Sequence, residues 1–520
     1  MTIRNFAGAA MLVTAVAFSP TRAAGAPCES LAALTLPDTT ITSAQTVAAG
    51  AFTLPGGLGF PEAAVARFRA SVADLPAFCR VAATLRPSTD SDIKIEVWMP
   101  SSGWNGKFLG VGNGGWAGTI TYPALTDALR RGYAAASTDT GHTGTGGDAS
   151  FALGHPEKLT DFGYRAVHEM TVTAKAAVLA FYGDRPRFSY WQGCSTGGKQ
   201  GLTEAQRFPD DYDGIVAGAP ANFWTHLMTG LIWVGRATLS DPASYIPPSK
   251  YPVLNRGVLD ACDMLDGVND GVLEDPRRCR FDPQVLECEG ADGPTCLTAP
   301  QVAAAQKIYG PATNPRTGEA IFPGLSRGSE LGWRAAAGGP DPFQIVTDHF
   351  KYVVFEDPNW DFRTLDFDRD VARADELDNG TLNAIDPDLK AFVDRGSKLL
   401  LYHGWNDPLI TPQNTVNYYA SVRATLGAAE VESAVRLFMA PGMGHCGGGP
   451  GPNAAEWLTA LEQWVEHGLA PDQIVASHST NGEVDRTRPL CPYPQVARYT
   501  GTGSTDAAAN FACVEPEASR

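Results

Sequence analysis

Gly193-Cys194-Ser195-Thr196-Gly197 forms a G-x-S-x-G sequence. It follows a strand-like run at 188–192 and precedes a helical stretch at 198–208. That context is the one a nucleophile elbow requires. Flanking glycines allow a tight strand-to-helix turn that lifts Ser195 Oγ above the sheet edge. The helix N-terminus then offers free N–H groups and a positive dipole end to a developing oxyanion. The bland alternative is a glycine-rich structural turn, and the strand before and helix after weigh against it.

A serine is a weak nucleophile without a base and an orienting acid. In this kind of site the chain order is Ser, then Asp or Glu, then His. The run 398–402 (Lys-Leu-Leu-Leu-Tyr) reads as a strand and leads into His403-Gly404-Trp405-Asn406-Asp407-Pro408. Asp407 thus lies just past a strand end, where the acid belongs. The run 435–440 leads into Pro441-Gly442-Met443-Gly444-His445-Cys446, which places His445 in a glycine-rich loop after another strand. A turn aspartate before proline and a loop-surface histidine are the alternatives; order and strand placement favour the catalytic reading. His403 is nearer the acid than the base and reads as a pocket-wall residue.

The oxyanion needs a second backbone donor from a loop after an early strand. The run 108–111 leads into Gly112-Asn113-Gly114-Gly115-Trp116-Ala117-Gly118. Gly114 or Gly115 is expected to supply one N–H and Thr196 the other. A phosphate loop is the rival, but the spacing is neither a Rossmann nor a Walker pattern. Cys194 and Cys446 flank the proposed nucleophile and base. If Ser195 and His445 meet, a Cys194–Cys446 disulfide would hold them in register. The rival is a free Cys194.

A third chemistry sits at Cys262-Asp263-Met264-Leu265-Asp266-Gly267-Val268-Asn269-Asp270-Gly271-Val272. Three carboxylates in one glycine-bearing loop suit a hard cation such as calcium, although the spacing is not that of an EF-hand. The alternative is a solvated acidic turn.

These residues must be positioned by a large fold. The chain has 520 residues, enough for a sizeable core, with an ordinary 44% hydrophobic and 19% charged composition that excludes a disordered chain. Its net charge of −17 disfavours nucleic-acid binding. Arg4, an apolar run at 6–18 and the small residues Ala23, Ala24, Gly25 and Ala26 read as an export signal over residues 1–26. The run is too short to span a membrane. Ten cysteines, an even number with no C-x-x-C pair, then read as five disulfides in a secreted or periplasmic protein. Local neighbours suggest Cys262–Cys279, Cys288–Cys296 and Cys491–Cys513.

Strands and helices alternate from about 79 to 220, which implies a mostly parallel sheet covered on both faces. Alternating apolar and polar residues at 93–99 (Ile-Lys-Ile-Glu-Val-Trp-Met) read as a half-exposed strand. Further strands are expected at 108–111, 133–138 and 215–217, and helices at 167–181 and 454–465. From about 223 to 387 the alternation fades into an irregular segment, read as an inserted lid. The expected organisation is a signal at 1–26, a first core part at 27–221, a lid with the cation loop at 222–386 and a second core part at 387–520.

Together these residues resemble the tannase/feruloyl esterase family of secreted α/β-hydrolases. Its hallmark is a Cys-Ser, Asp, His-Cys set, standing here as Cys194-Ser195, Asp407 and His445-Cys446. The C-terminal stretch 486–499 also looks like the family's. The resemblance implies an α/β-hydrolase core with a large inserted lid, and a serine ester hydrolase that releases an aromatic acid. It implies a structural Ca²⁺ held by the Asp263, Asp266 and Asp270 side chains and the Val268 and Val272 carbonyls, with no organic cofactor. Cys28–Cys79 completes the expected disulfides. The terephthalate half-ester branch uses a lid arginine and has Glu after the nucleophile; here Thr196 stands there, and between Trp333 and Phe350 only Arg334 is available. That favours hydroxycinnamate or gallate esters. Trp333, Phe350, Tyr352 and Phe355 are candidates to stack on an aromatic acyl group, or simply lid core. A peptidase and a calcium-stabilised binding protein without catalysis are the readings from other classes.

Overall fold

The computed structural model describes residue 2, residues 25–55 and residues 62–516. The expected export signal, from Arg4 through Ala24, lies outside the described residues apart from its small-residue end at Gly25 and Ala26.

Nine strands make one sheet: β1 (Thr39–Val47), β2 (Phe78–Leu85), β3 (Ile93–Pro100), β4 (Lys107–Val111), β5 (Ala134–Thr138), β6 (Phe188–Cys194), β7 (Gly214–Gly218), β8 (Lys398–Gly404) and β9 (Val435–Ala440). Their spatial order is β1-β2-β3-β5-β4-β6-β7-β8-β9. The first four in that order pair antiparallel. All later pairs are parallel. The central parallel strands are runs of small and branched apolar residues, such as Gly214-Ile-Val-Ala-Gly218. Both of their faces are covered, as in doubly wound sheets.

Helices α1 (Tyr122–Arg130), α2 (Ala166–Tyr182), α3 (Thr196–Arg207), α6 (Pro412–Leu426) and α7 (Trp457–His467) supply that cover. Met170, Val178, Leu202 and Val422 pack with Ile215 and Leu399 on one face, and Leu125, Leu129, Leu461 and Trp464 with Val216 and Leu400 on the other. This is the expected α/β-hydrolase core.

Two local readings change. β3 is not half-exposed: Ile93 through Pro100 is buried at every position except Lys94. The polar Glu96 is paired internally with Arg80 and accepts from Trp98 Nε1 (2.8 Å) and the Tyr122 hydroxyl (2.9 Å). A buried ion pair mimics solvent exposure in the residue pattern. The helix expected from 454 begins at Trp457, because Ala454 instead bridges to Ser477.

Between β7 and β8 the chain leaves the sheet and builds a core of its own. It is less irregular than the sequence suggests. Helices α4 (Trp224–Leu239) and α5 (Tyr251–Cys262) pack with Ile308, Phe322, Trp333 and Phe350. That core also includes Trp116 and Phe162 from the sheet part, so the inserted segment sits directly on the loop after β4. Two antiparallel pairs end the chain, Ile474–Thr480 with Glu483–Leu490 and Val496–Tyr499 with Phe511–Val514. All five expected disulfides are formed: Cys28–Cys79, Cys194–Cys446, Cys262–Cys279, Cys288–Cys296 and Cys491–Cys513.

Candidate active site

Parallel register brings the carboxyl ends of β6, β7, β8 and β9 to one edge. Cys194 pairs with Gly218, Gly218 with Tyr402, and Gly404 with Ala440. Ser195, Asp407 and His445 therefore leave neighbouring strand ends on the same side, where ligands bind in open α/β sheets.

Ser195 sits at φ 64°, ψ −122°, immediately before α3. An L-residue there carries about 1–3 kcal/mol of strain. Hydrogen bonds on both sides hold it. The Ser195 N–H donates to the Gly218 carbonyl (3.0 Å), and its own carbonyl accepts from the N–H groups of Lys199 (3.0 Å) and Ala221 (3.1 Å). Gly193 is required by close approach, since a Cβ there would lie 2.5 Å from the Gly197 backbone. The helix expected from 198 already starts at Thr196, so the N–H of Thr196 is at the first helical position, without an intrahelical acceptor.

Asp407 is fully buried, and all its partners are donors. Oδ1 accepts from the N–H groups of Leu409 (2.8 Å) and Ile410 (3.0 Å). Oδ2 accepts from His445 Nδ1 (2.7 Å) and from His403 Nε2 (3.1 Å). Burial alone would raise the Asp407 carboxyl. The charge of His445 and the hydrogen bonds from both histidines outweigh it and hold the group well below the usual carboxylate range. His445 shows the mirror effect: burial lowers its imidazole, and the adjoining Asp407 charge and hydrogen bond more than reverse that, raising it. With Nδ1–H committed to Asp407, Nε2 of the neutral ring is the free basic position.

The Cys194–Cys446 disulfide holds the residues beside Ser195 and His445 with Cα atoms 5.9 Å apart. The nucleophile turn and the histidine loop are thus one covalent unit, and Cys194 is not free. The loop after β4 joins it. The Thr196 hydroxyl donates to the Gly115 carbonyl (2.7 Å), and the Gly197 N–H to the Asn113 carbonyl (2.8 Å). Gly115 has φ 55°, and a Cβ there would lie 2.1 Å from the Gly146 carbonyl oxygen. Gly114 is exposed, with open space around it. The inserted segment braces this loop through Trp116, whose Nε1–H donates to the Ile345 carbonyl (3.0 Å).

Other expectations fall differently. His403 is not an exposed wall residue: its side chain is completely buried against Asp407. Trp333 and Phe350 are fully buried core of the inserted segment, Phe355 stacks on Trp360, and Tyr352 is half-buried. Arg334 is exposed. Arg277, which the residue pattern did not single out, lies 5.1 Å from the ring centroids of both Trp405 and Tyr493, clamping the inserted segment to the loop that carries Asp407.

The acidic loop lies against the histidine loop: a Cβ at Gly442 would lie 3.1 Å from Val272 Cγ1. Asp263 accepts from the N–H groups of Asp270 (3.4 Å) and Gly271 (3.0 Å), Asp266 from Val268 (2.9 Å), and Asp270 from Val272 (3.2 Å). Asp270 Oδ2 also accepts from Arg488 Nη2 (2.5 Å) and faces Arg486 (3.7 Å). Neither Asp263 nor Asp266 forms an ion pair among the described residues. Burial pushes Asp266 up to about 6. It pushes the adjoining Glu274 up to about 8, and Glu274 Oε2 is buried without a hydrogen-bond partner. Among the described residues, Asp263 and Asp266 offer carboxylate oxygens without a cationic side chain on them, the donor type a hard divalent cation takes. The carboxylates are not gathered into a tight cluster, however. Among the described residues the acidic and imidazole ligand atoms that all lie within 4.8 Å of one another belong to His168, Glu204 and Asp211 instead.

Comparison with known proteins agrees with this geometry. The family model described as "Tannase and feruloyl esterase" matches residues 79–514. An uncharacterised esterase of Xanthomonas campestris is 42% identical, covering 95% of this chain and 92% of its own. Feruloyl esterase B of Aspergillus niger is 34% identical, covering 86% and 88%. The crystal structure of feruloyl esterase B from Aspergillus oryzae superposes with a TM-score of 0.87 at 32% identity, over 94% of this chain and 99% of that one. With its sheet order, its serine turn and these likenesses over most of its length, the chain belongs to the tannase and feruloyl esterase family of carboxylic ester hydrolases.

Proposed function

We propose that this protein hydrolyses esters of aromatic hydroxycinnamic acids through an acyl-enzyme on Ser195. The observation that carries the reading is Ser195 at positive φ on the sheet edge, tied by its neighbour's disulfide to the loop whose His445 is hydrogen-bonded to Asp407. The feruloyl esterases among the relatives supply the acyl class. His445 Nε2 takes the proton from Ser195 Oγ as the oxygen attacks the ester carbonyl. Asp407 keeps the ring in the tautomer that can accept it. The N–H of Thr196, with that of Gly115 or Gly114, receives the oxyanion. The protonated His445 gives its proton to the leaving alcohol. Water deprotonated by His445 then attacks the acyl carbonyl and frees the acid and Ser195.

A calcium ion is proposed in the acidic loop, held by Asp263, Asp266 and Asp270 and the carbonyls of Val268 and Val272. It supplies positive charge that fixes the loop against the histidine loop. Export is proposed as well, and five disulfides support it. No helix among the described residues is long and apolar enough to cross a membrane.

The test is turnover of methyl ferulate, methyl gallate and mono(2-hydroxyethyl) terephthalate side by side, with Ser195→Ala as control. Ferulate turnover that the variant abolishes is expected. Preference for gallate or terephthalate would reassign the acyl group, and peptide turnover with all three esters intact would overturn the ester reading.

A further inference from the structure

We propose that His403 is a positioning residue for the reaction: it fixes the Asp407 carboxylate and thereby sets the basicity of His445. This rests on the reading of Ser195, Asp407 and His445 as the catalytic set.

A carboxylate that orients a histidine has one oxygen on the ring, and backbone N–H groups can satisfy the other. Here Oδ1 is so satisfied, by Leu409 and Ile410. Oδ2 carries two imidazoles rather than one. His403 lies at the end of β8, four residues before Asp407, and both side chains are completely buried. Its Nε2 also lies 2.9 Å from the Ile410 carbonyl. A carbonyl has no proton to give, so Nε2 must carry the hydrogen, shared between Ile410 O and Asp407 Oδ2. Nδ1 lies 2.8 Å from the Thr415 hydroxyl on α6 and accepts from it when the ring is neutral. Every polar atom of the ring is thus assigned, and the ring is held from two sides, by the loop carrying Asp407 and Ile410 and by α6.

The chemical consequence follows from charge. The ionisable groups acting on Asp407 are His445 and His403, and the one acting on His445 is Asp407. A hydrogen bond from His403 spreads the negative charge of Oδ2 away from His445. Without it, Asp407 would stabilise the imidazolium more strongly and hold the neutral base less firmly in plane. His445 would then stay protonated to higher pH and present Nε2 to Ser195 in a looser geometry.

The experiment compares wild type, His403→Leu, His403→Gln and Thr415→Val with methyl ferulate across pH, alongside Ser195→Ala and melting curves for each. For His403→Leu the expected result is a loss of about 10- to 100-fold in kcat per folded molecule, the worth of one hydrogen bond to a charged group, with KM little changed. The acid limb of kcat/KM should move to higher pH. His403→Gln keeps an N–H donor and should restore most of the rate and the limb. Thr415→Val should shift the limb the same way by less. A limb that stays in place in both His403→Leu and Thr415→Val, whatever the melting temperatures do, overturns the proposal. If His403→Leu does not fold, Gln rescue and the Thr415→Val limb decide alone. Activity surviving in Ser195→Ala would instead overturn the catalytic reading beneath it.

Discussion

The nucleophile turn and the acidic loop are both short glycine-bearing turns, and both meet the histidine loop, the first through the Cys194–Cys446 disulfide and the second where Val272 packs near Gly442. Their electrostatics are opposite. At the turn, each charge the chemistry uses is balanced by the chain. Buried Asp407 has four donors, and the strain at Ser195 is held by three backbone hydrogen bonds. In the loop, Glu274 Oε2 is buried without a hydrogen bond, 4.0 Å from Arg488 Nη1, and Asp266 is pushed up towards neutrality. The turn is satisfied by the chain itself; the loop is where we propose that an ion completes the balance. Self-sufficiency suits a group that must change protonation at each turnover, whereas a loop that only has to hold its shape can depend on an ion.

The hardest way to break that contrast is Ser195→Ala. It should remove about four or more orders of magnitude of kcat while leaving the melting temperature within a degree or so, since the backbone bonds survive. A large drop in stability would mean that the turn is not self-supporting. Next comes the Cys194→Ser/Cys446→Ser double variant, measured by kcat on methyl ferulate. Freeing the histidine loop from the turn should cost about 100-fold, because small misplacements of reacting groups are that expensive. An unchanged kcat would show that the sheet alone aligns the two.

Chelation is expected to act on the other member of the pair. It should lower the melting temperature with a smaller effect on kcat per folded molecule; the reverse would move the ion into the chemistry. The pH dependence gives the sign. An acid held up in the folded state binds more protons there than when unfolded, so stability falls as pH rises from about 4 towards about 8, the values held by Asp266 and Glu274 bounding the upper part. Added calcium should flatten that decline in melting curves. The smallest effect is on the turn itself: with His445 raised by Asp407, the acid limb of kcat/KM should sit above the ordinary histidine value of about 6.5.

The chemistry was more legible in the residues than the architecture was. Cys194-Ser195, Asp407 and His445-Cys446 each stand directly after an apolar run, and parallel pairing of those runs does the rest. β1 and β2 carried no comparable flag, and β3 looked half-exposed because Glu96 is a buried ion-pair partner. His403 looked like pocket wall, since a residue one step from a strand end can face the cavity or the core. Only the approach of Thr415 on α6 and the Ile410 carbonyl decides that it faces inward.

The Cys194–Cys446 bridge closes a ring of chain with a sequence separation of 252, and the entire inserted segment lies inside that ring. A single cut by a protease between β7 and β8, outside the two smaller disulfide loops there, therefore yields no separate fragments. The nicked molecule keeps its serine-bearing and histidine-bearing halves on one covalent framework. It runs as a single species until the disulfide is reduced, and only then falls into two.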